Sequence, residues 1–198
     1  MTDIETRFRP MNESDLEMIA AWFEDFEDVA LFDRALPVPV SKEFVAESWK
    51  PALQYKEPPS ALWFVADTSG QTSMGICGLQ GINYIHGDAV IPIFITSEYR
   101  HKGLAGVMLC VLLDLAFKQL RLHRISTVYR SDNEPSRQLV ARFGFSEEGR
   151  VREGWYADGG RHDIVQVGLL RTEWEEARTD VNAYLANSPF KIVKELTL

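Results

Sequence analysis

The residues of this chain with the clearest chemical purpose form one string, Ser97-Glu98-Tyr99-Arg100-His101-Lys102-Gly103-Leu104-Ala105-Gly106. An apolar periodic run starts at Leu104, so the string reads as the first turn of a helix, and glycine there lets backbone come close to a ligand. A first helical turn carries N–H groups without internal partners and a partial positive charge, and Arg100, His101 and Lys102 add cations beside them. That combination suits a diphosphate. Taken by itself, the string reads more readily as a helix start with a solvated charge run. Gly103 and Gly106 lack the G-x-G-x-x-G spacing of dinucleotide folds, Gly75, Gly78 and Gly81 fall inside a strand-like segment, and no P-loop is present.

A second string, Asn133-Glu134-Pro135-Ser136, has the signature of a helix start: Asn is a favoured N-cap and Pro fits an early turn. The two cysteines, Cys77 and Cys110, lie in apolar segments and form no CxxC or Cys/His cluster of ligand spacing. They read as small buried hydrophobes, so neither a disulfide nor a metal site is expected.

The elements that must position these strings follow from periodicity. Thr6 to Arg9 reads as a strand ending at Pro10. Apolar positions 16, 19, 22, 23 and 26 define an amphipathic helix behind the capping residues Asn12 to Ser14. After a loop marked by Pro37 and Pro39, Ser41 caps a second helix through Phe44, Val45, Trp49, Leu53 and Tyr55, with a kink or break expected at Pro51 and an end at Pro58-Pro59. Leu62–Ala66, Met74–Ile85 and Ala89–Thr96 form an antiparallel meander. Pro92 cannot donate a ladder hydrogen bond, yet its neighbours Ile91, Ile93, Phe94 and Ile95 are too apolar for an exposed edge, which predicts a bulge in a central strand. Gly103–Leu120 is a helix, Arg124–Arg130 a strand, Asn133–Phe143 a helix, and Phe145–Val151 and Asp163–Leu170 are strands. A terminal helix covers 171–186, and the short apolar tail Phe190–Leu198 must dock to be ordered. The expected organisation is one domain over residues 1–186 and a tail over 187–198.

In this setting Arg100-x-x-Gly103-x-Ala105 resembles the Q/R-x-x-G-x-G/A signature of the GNAT acetyltransferases. The run Asn133…Ser136, Phe143-Gly144-Phe145, Glu148-Gly149, Gly159 and Asp163 resembles that of the RimJ/RimL-type ribosomal-protein N-terminal acetyltransferases, and the likeness spans roughly residues 5 to 175. Gly81-Ile82-Asn83-Tyr84-Ile85-His86 through Tyr99 also resembles bacterial spermidine acetyltransferases of the same superfamily. The resemblance implies an α/β (α+β) GNAT fold: a mixed central sheet with a bulged, splayed middle strand and flanking helices. It also implies acetyl-CoA as cosubstrate and no metal.

By that resemblance the amides from Arg100 to Gly106 (Arg100, His101, Lys102, Gly103, Leu104, Ala105, Gly106) hold the diphosphate, and those of Ile93, Phe94 and Ile95 bond the pantetheine arm and orient the thioester. Asn133 contacts the coenzyme arm besides capping its helix. Ser136 gives a hydrogen bond or proton to the departing sulfur, since Val140 stands where many relatives carry a tyrosine acid. The family's strand glutamate is matched by Val90, and the RimL-type base position by Trp155, so Glu153 is named as the base, with Asp88 and Glu98 as further carboxylates and His86 and His162 as relays. Trp22, Phe23, Phe26, Phe32, Trp155 and Tyr156 line the acceptor pocket or pack the core. Glu24, Asp25, Glu27 and Asp28 suit a cationic acceptor.

A thioester needs a neutral amine. At pH 7 deprotonation costs about 1.4 kcal/mol for an α-amine of pKa near 8 but about 4.6 kcal/mol for a lysine-like amine. This asymmetry, the Asn133/Ser136 pattern and the missing strand glutamate favour a peptide or protein N-terminal α-amine. The alternatives are a polyamine or other small amine and, from another class, a non-catalytic acyl-CoA sensor. No cysteine is placed with a His and a carboxylate, so direct attack is expected rather than an acyl-enzyme.

Composition agrees. The 198 residues are 45% hydrophobic and 25% charged, which excludes disordered and fibrous classes. The balance of 21 Lys+Arg against 29 Asp+Glu gives a net charge of −8 without a long basic run, a poor match for nucleic acid. The start lacks a signal-peptide pattern, and the longest apolar stretch, Leu104–Leu113, is too short to cross a bilayer, so a soluble, cytoplasmic protein without membrane contact is expected. Family analogy points to a homodimer.

Overall fold

Residues 3–25, 28, 30, 32, 41–54 and 57–194 are described by the structure, a computed structural model; Phe26, Glu27, Pro37, Pro39, Tyr55 and the last four residues of the tail lie outside them. The meander folds in the expected antiparallel order, but its third strand is divided at Pro92 rather than bulged there. Strands β1 (Ile4–Pro10), β2 (Ala61–Thr68) and β3 (Ser73–Asn83) pair antiparallel in sequence, and β3 pairs in the same sense with β4 (Asp88–Val90) and β5 (Ile93–Ile95). Helices α1 (Leu16–Trp22) and α2 (Lys42–Leu53) lie between β1 and β2 in the chain. Ser41 caps α2, its Oγ accepting the Phe44 N–H at 3.2 Å. The helix runs through Pro51 to Leu53 without breaking; the proline lies in the closing turn, where little helix follows to be disturbed.

The second half alternates strand and helix: α3 (Leu104–Asp114, closing in a π turn over Leu115–Gln119), β6 (Arg124–Arg130), α4 (Glu134–Arg142), β7 (Ser146–Ala157), β8 (Gly160–Leu170) and α5 (Arg171–Ala186). Strand β7 is longer than its apolar signal. It is an outer strand whose exposed residues are mostly polar, Val151 and Tyr156 excepted, and it resumes after a register shift between Val151 and Trp155 in which Glu153 takes φ +52°. The tail docks as β9 (Phe190–Lys194), parallel to β1.

Among the described residues the sheet has nine strands, in the order β7-β8-β6-β4-β3-β2-β1-β9 with β5 paired to β3 off this path. One face is covered by α3, α4 and α5, whose Leu104, Met108, Leu112, Val140, Phe143 and Trp174 pack with the sheet in the main core. On the other face α1 and α2 build a second core around Ile19, Phe23, Val45, Trp49, Trp63 and Phe94. Among the described residues, that second layer leaves part of its face open. Over β4, β6 and β8 the register aligns Gln80, Val90 and Ser126 in one row and Val128 and Gln166 in the next, all on the uncovered side. Val90 and Val128, on inner strands, are 41% and 39% exposed.

Candidate active site

Strands β4 and β6 run parallel, pairing Asp88 with Arg124 and Val90 with Ser126, and the ladder ends there. Ile91 gives one last N–H to Ser126 O at 3.0 Å, and the Thr127 hydroxyl bonds Ile91 O at 2.9 Å. Past Pro92 the strand continues as β5, bound to β3 alone, while β6 keeps to β8. The splay therefore opens at Pro92. The accompanying register shift lies across the ladder in β3, between Gln80 and Asn83.

The open edge carries free backbone. Thr96 N–H bonds Met74 O and Gly78 N–H bonds Pro92 O, so in this antiparallel pair Phe94 exchanges its bonds with Ile76. The alternation turns the N–H and C=O groups of Ile93 and Ile95 the other way, into the splay, where Ile95 O is taken by Arg100 and the two N–H groups stay open. The Phe94 amide serves the sheet instead. Its ring is buried and meets Trp22, Phe23 and Phe32 at 5.3–5.7 Å between centroids.

Both diverging strands run into helices, so α3 and α4 begin at the carboxyl ends that border the splay, where open α/β sheets bind ligands. At α3 the chain turns through two left-handed residues, His101 (φ +58°) and Gly103 (φ +93°), and Gly103 stands at the N-cap without a side-chain bond to the helix. The first-turn N–H groups are therefore left to an anion. His101 and Lys102 are exposed beside them, Ala105 is half-buried, and Leu104 and Gly106 are buried. Gly106 has a packing role: a Cβ there would stand 3.3 Å from Leu185 and 3.4 Å from Tyr184 of α5.

Arg100 is committed elsewhere. Its Nε bonds Ile95 O at 2.8 Å, its Nη1 pairs with Asp28 at 2.5 Å, and the guanidinium lies 5.7 Å from the Phe94 ring centroid. It ties the open strand to the segment containing residues 28, 30 and 32. Ala30 of that segment accepts the Trp155 indole N–H at 3.0 Å and packs with Trp155, Ala157 and Ile164, while Phe32 joins the Phe94 cluster. Trp22, Phe23 and Phe32 thus pack the wall beside the splay, whereas Tyr156 is 61% exposed.

At α4, Asn133 Oδ1 accepts the Ser136 N–H at 3.1 Å, which leaves the half-buried Ser136 hydroxyl in the first turn. Val140 is buried in the main core. Glu153 is exposed on the outer strand β7, its N–H bonded to Asp163 Oδ1 at 2.9 Å. His86 and Asp88 lie at the opposite, amino-terminal end of β4, some ~20 Å down the strand from the end of β5 at ~3.3 Å per residue. Glu98 is exposed in the short turn after β5. Both thiols are buried; burial raises Cys77 and pushes Cys110 up to about 11, so neither is poised as a nucleophile. Among the described residues no group of three or more His, Cys, Asp or Glu could hold a metal, and no helix is long and apolar enough to cross a membrane.

Sequence reasoning missed the arginine pairs. The buried Arg130 binds Asp132 through Nε at 2.6 Å and Asp158 at 2.9 Å, and His162 Nδ1 stands 3.6 Å from Asp132 Oδ2. Arg124 pairs with Glu148 and Arg150 with Asp163. No local pattern announces them, because strand register assembles them from distant positions.

A family profile described as an acetyltransferase (GNAT) domain matches residues 6–146. The chain is 36% identical over 101 residues, 51% of its own length and 55% of the relative's, to a putative ribosomal N-acetyltransferase of Bacillus subtilis. It is 31% identical over 111 residues to a spermidine N(1)-acetyltransferase of Vibrio cholerae, 56% of this chain and 64% of that one. These matches therefore span between half and two thirds of the relatives. The crystal structure of spermidine N-acetyltransferase from Vibrio cholerae in complex with CoA and spermine superposes with a TM-score of 0.77 at 24% identity, covering 86% of this chain and 98% of that one, which establishes the likeness of fold.

Proposed function

The chain belongs to the acetyltransferase (GNAT) family, and from that premise we propose that it moves an acetyl group from acetyl-CoA to a primary amine, the preferred acceptor being a peptide or protein N-terminal α-amine. Acetyl-CoA supplies the thioester whose carbonyl carbon takes up the amine. The residues around the splay fit such a molecule: an open pair of N–H groups for an amide-rich arm and an uncapped helix start for a diphosphate.

In this reading the first-turn amides of α3 from Gly103 to Gly106, with exposed His101 and Lys102, bind the diphosphate. The Ile93 and Ile95 N–H groups bond the arm and hold the thioester in line with the uncovered sheet face. Asn133 caps α4 and so fixes Ser136, whose hydroxyl hands a proton to the leaving sulfur. The coenzyme-facing part of Arg100 is its backbone, since its guanidinium is held by Asp28 and Ile95.

The observation that carries the acceptor class is the floor of the uncovered face. Gln80, Val90, Ser126, Val128 and Gln166 are neutral, and among the described residues four carboxylates of the surrounding elements are paired: Asp28 with Arg100, Asp132 and Asp158 with Arg130, Glu148 with Arg124. A polycation gains most from unpaired carboxylates along its length, whereas a peptide carries one cationic amine and then neutral backbone that glutamine and serine can bond. The test compares kcat/KM for spermidine with that for peptides of free N-terminus. Peptides should exceed spermidine by at least tenfold; preferential spermidine turnover would replace this acceptor with a polyamine, and coenzyme binding without turnover of any amine would leave a sensor.

A further inference from the structure

Proton removal from the amine needs an acceptor near the splay, and Glu153 sits on β7, with β8 lying between it and β6. His162 is on β8, next to β6. Its register partner is Trp155, and the two flank the same face as Ile164 and Ala157, against which Ala30 packs. Opposite Ile164 on that face is Arg130, the last residue of β6. His162 therefore stands just past the carboxyl end of β6, on the side of the sheet that carries the uncovered floor. It is half-buried at 24% side-chain exposure. Nδ1 faces Asp132 Oδ2 at 3.6 Å, and Nε2 lies over Gly160, where there is no side chain to block it.

Resting on the acyl-transfer reading above, we infer that His162, oriented by Asp132, is the group that accepts the proton of the acceptor amine. A carboxylate 3.6 Å from Nδ1, past hydrogen-bond distance, attracts a proton to that nitrogen electrostatically and leaves the Nε2 lone pair for the substrate. Asp132 is fixed in turn by Arg130, which also holds Asp158 from the β7–β8 turn. Among the neighbouring charges, Arg161 lies over the Tyr156 ring, and the Arg150–Asp163 pair alternates to the other face of the sheet. Burial by itself would raise the Asp132 carboxyl, but its bonds to Arg130 and the nearby His162 outweigh that and keep it ionised well below neutral pH.

The step balances. Nε2 takes one proton from the ammonium. The amine nitrogen bonds to the thioester carbon, the carbon–sulfur bond breaks, and the second nitrogen proton passes to the sulfur through Ser136, giving amide and thiol. The imidazolium returns its proton to water.

The experiment measures kcat/KM against pH for wild type, His162→Gln, Asp132→Asn and Glu153→Gln, using whichever primary amine wild type turns over, so that failure of the peptide preference does not decide it. Two acceptors of different amine pKa separate the limbs, because the amine limb moves with the substrate and the enzyme limb does not. We expect His162→Gln to lose about 100-fold and the enzyme limb with it, in the range of general-base contributions, with acetyl-CoA affinity within about twofold. Asp132→Asn should lower kcat/KM while acetyl-CoA affinity holds, since the imidazole loses the carboxylate that orients it. Imidazole added to His162→Gly should restore part of the rate. An unchanged pH profile in His162→Gln, loss of the limb in Glu153→Gln instead, or parallel loss of coenzyme affinity and rate would each overturn the assignment.

Discussion

Gly103 separates ligand binding from packing more cleanly than any other position. Its φ of +93° is one that an L-residue avoids, but the space is free: a Cβ there would meet only Ser188 Oγ, at 3.8 Å. Gly103→Ala therefore incurs a conformational penalty of about 1–2 kcal/mol without a clash. In a chain of this size that is a melting shift of about 2–8 °C. Relief of the strain rotates the first-turn N–H groups away from a bound diphosphate; loss of one charge-assisted bond, about 1.5–3 kcal/mol, weakens acetyl-CoA binding about 10- to 100-fold. Gly106→Ala is the control. Its N–H survives, and the new methyl presses on Leu185 at 3.3 Å and Tyr184 at 3.4 Å, so it should lower the melting temperature while leaving affinity within about threefold. Titration calorimetry with acetyl-CoA and thermal melts of both variants read the two quantities. A folded Gly103→Ala protein of wild-type affinity, or an equal affinity loss in both, would refute the placement of the diphosphate at α3.

Asp28→Asn removes the 2.5 Å ion pair to Arg100; the partly buried site should lose about 1–2 kcal/mol, and KM for the amine should rise more than Kd for acetyl-CoA, measured side by side. At Asp114 burial raises the carboxyl, but hydrogen bonds from Arg178 and Lys118 outweigh it and hold the pKa below its ordinary value. A carboxyl depressed in the folded state stabilises fully above its unfolded value near 3.9 and loses that contribution as pH falls through the folded one. Asp114→Asn should thus destabilise at pH 7 and flatten the decline in melting temperature below about pH 4. Native protein should leave both thiols unreacted toward an aromatic disulfide reagent at pH 8, while denatured protein titrates two.

Much of the fold is legible in the sequence because its core strands are short apolar runs bounded by turn residues and α3 is one long apolar run, and because Pro92, flanked by Ile91 and Ile93, cannot be part of an unbroken inner ladder. The strings at Arg100–Gly106 and Asn133–Ser136 are likewise local: each is a helix start, and each borders the splay. What escaped was non-local. Nothing near Arg100 announces that its guanidinium is spent on Asp28, and nothing near His162 points to Asp132. Strand β7 hid its length because an outer strand needs no apolar alternation. Trp155 read as a lost base position, yet its indole anchors Ala30.

Strand β9 joins residues from almost opposite ends of the chain, pairing Phe190 with Ile4 while Pro189 O accepts the Ile4 N–H at 2.7 Å. Such a contact has nearly the largest sequence separation available, and its loop-closure entropy must be met before it repays anything. It belongs late in refolding, after the hairpins and α3 have formed. Ser188, just ahead of it, lies against Gly103, so competence to bind coenzyme should lag behind the recovery of helical signal in a stopped-flow experiment.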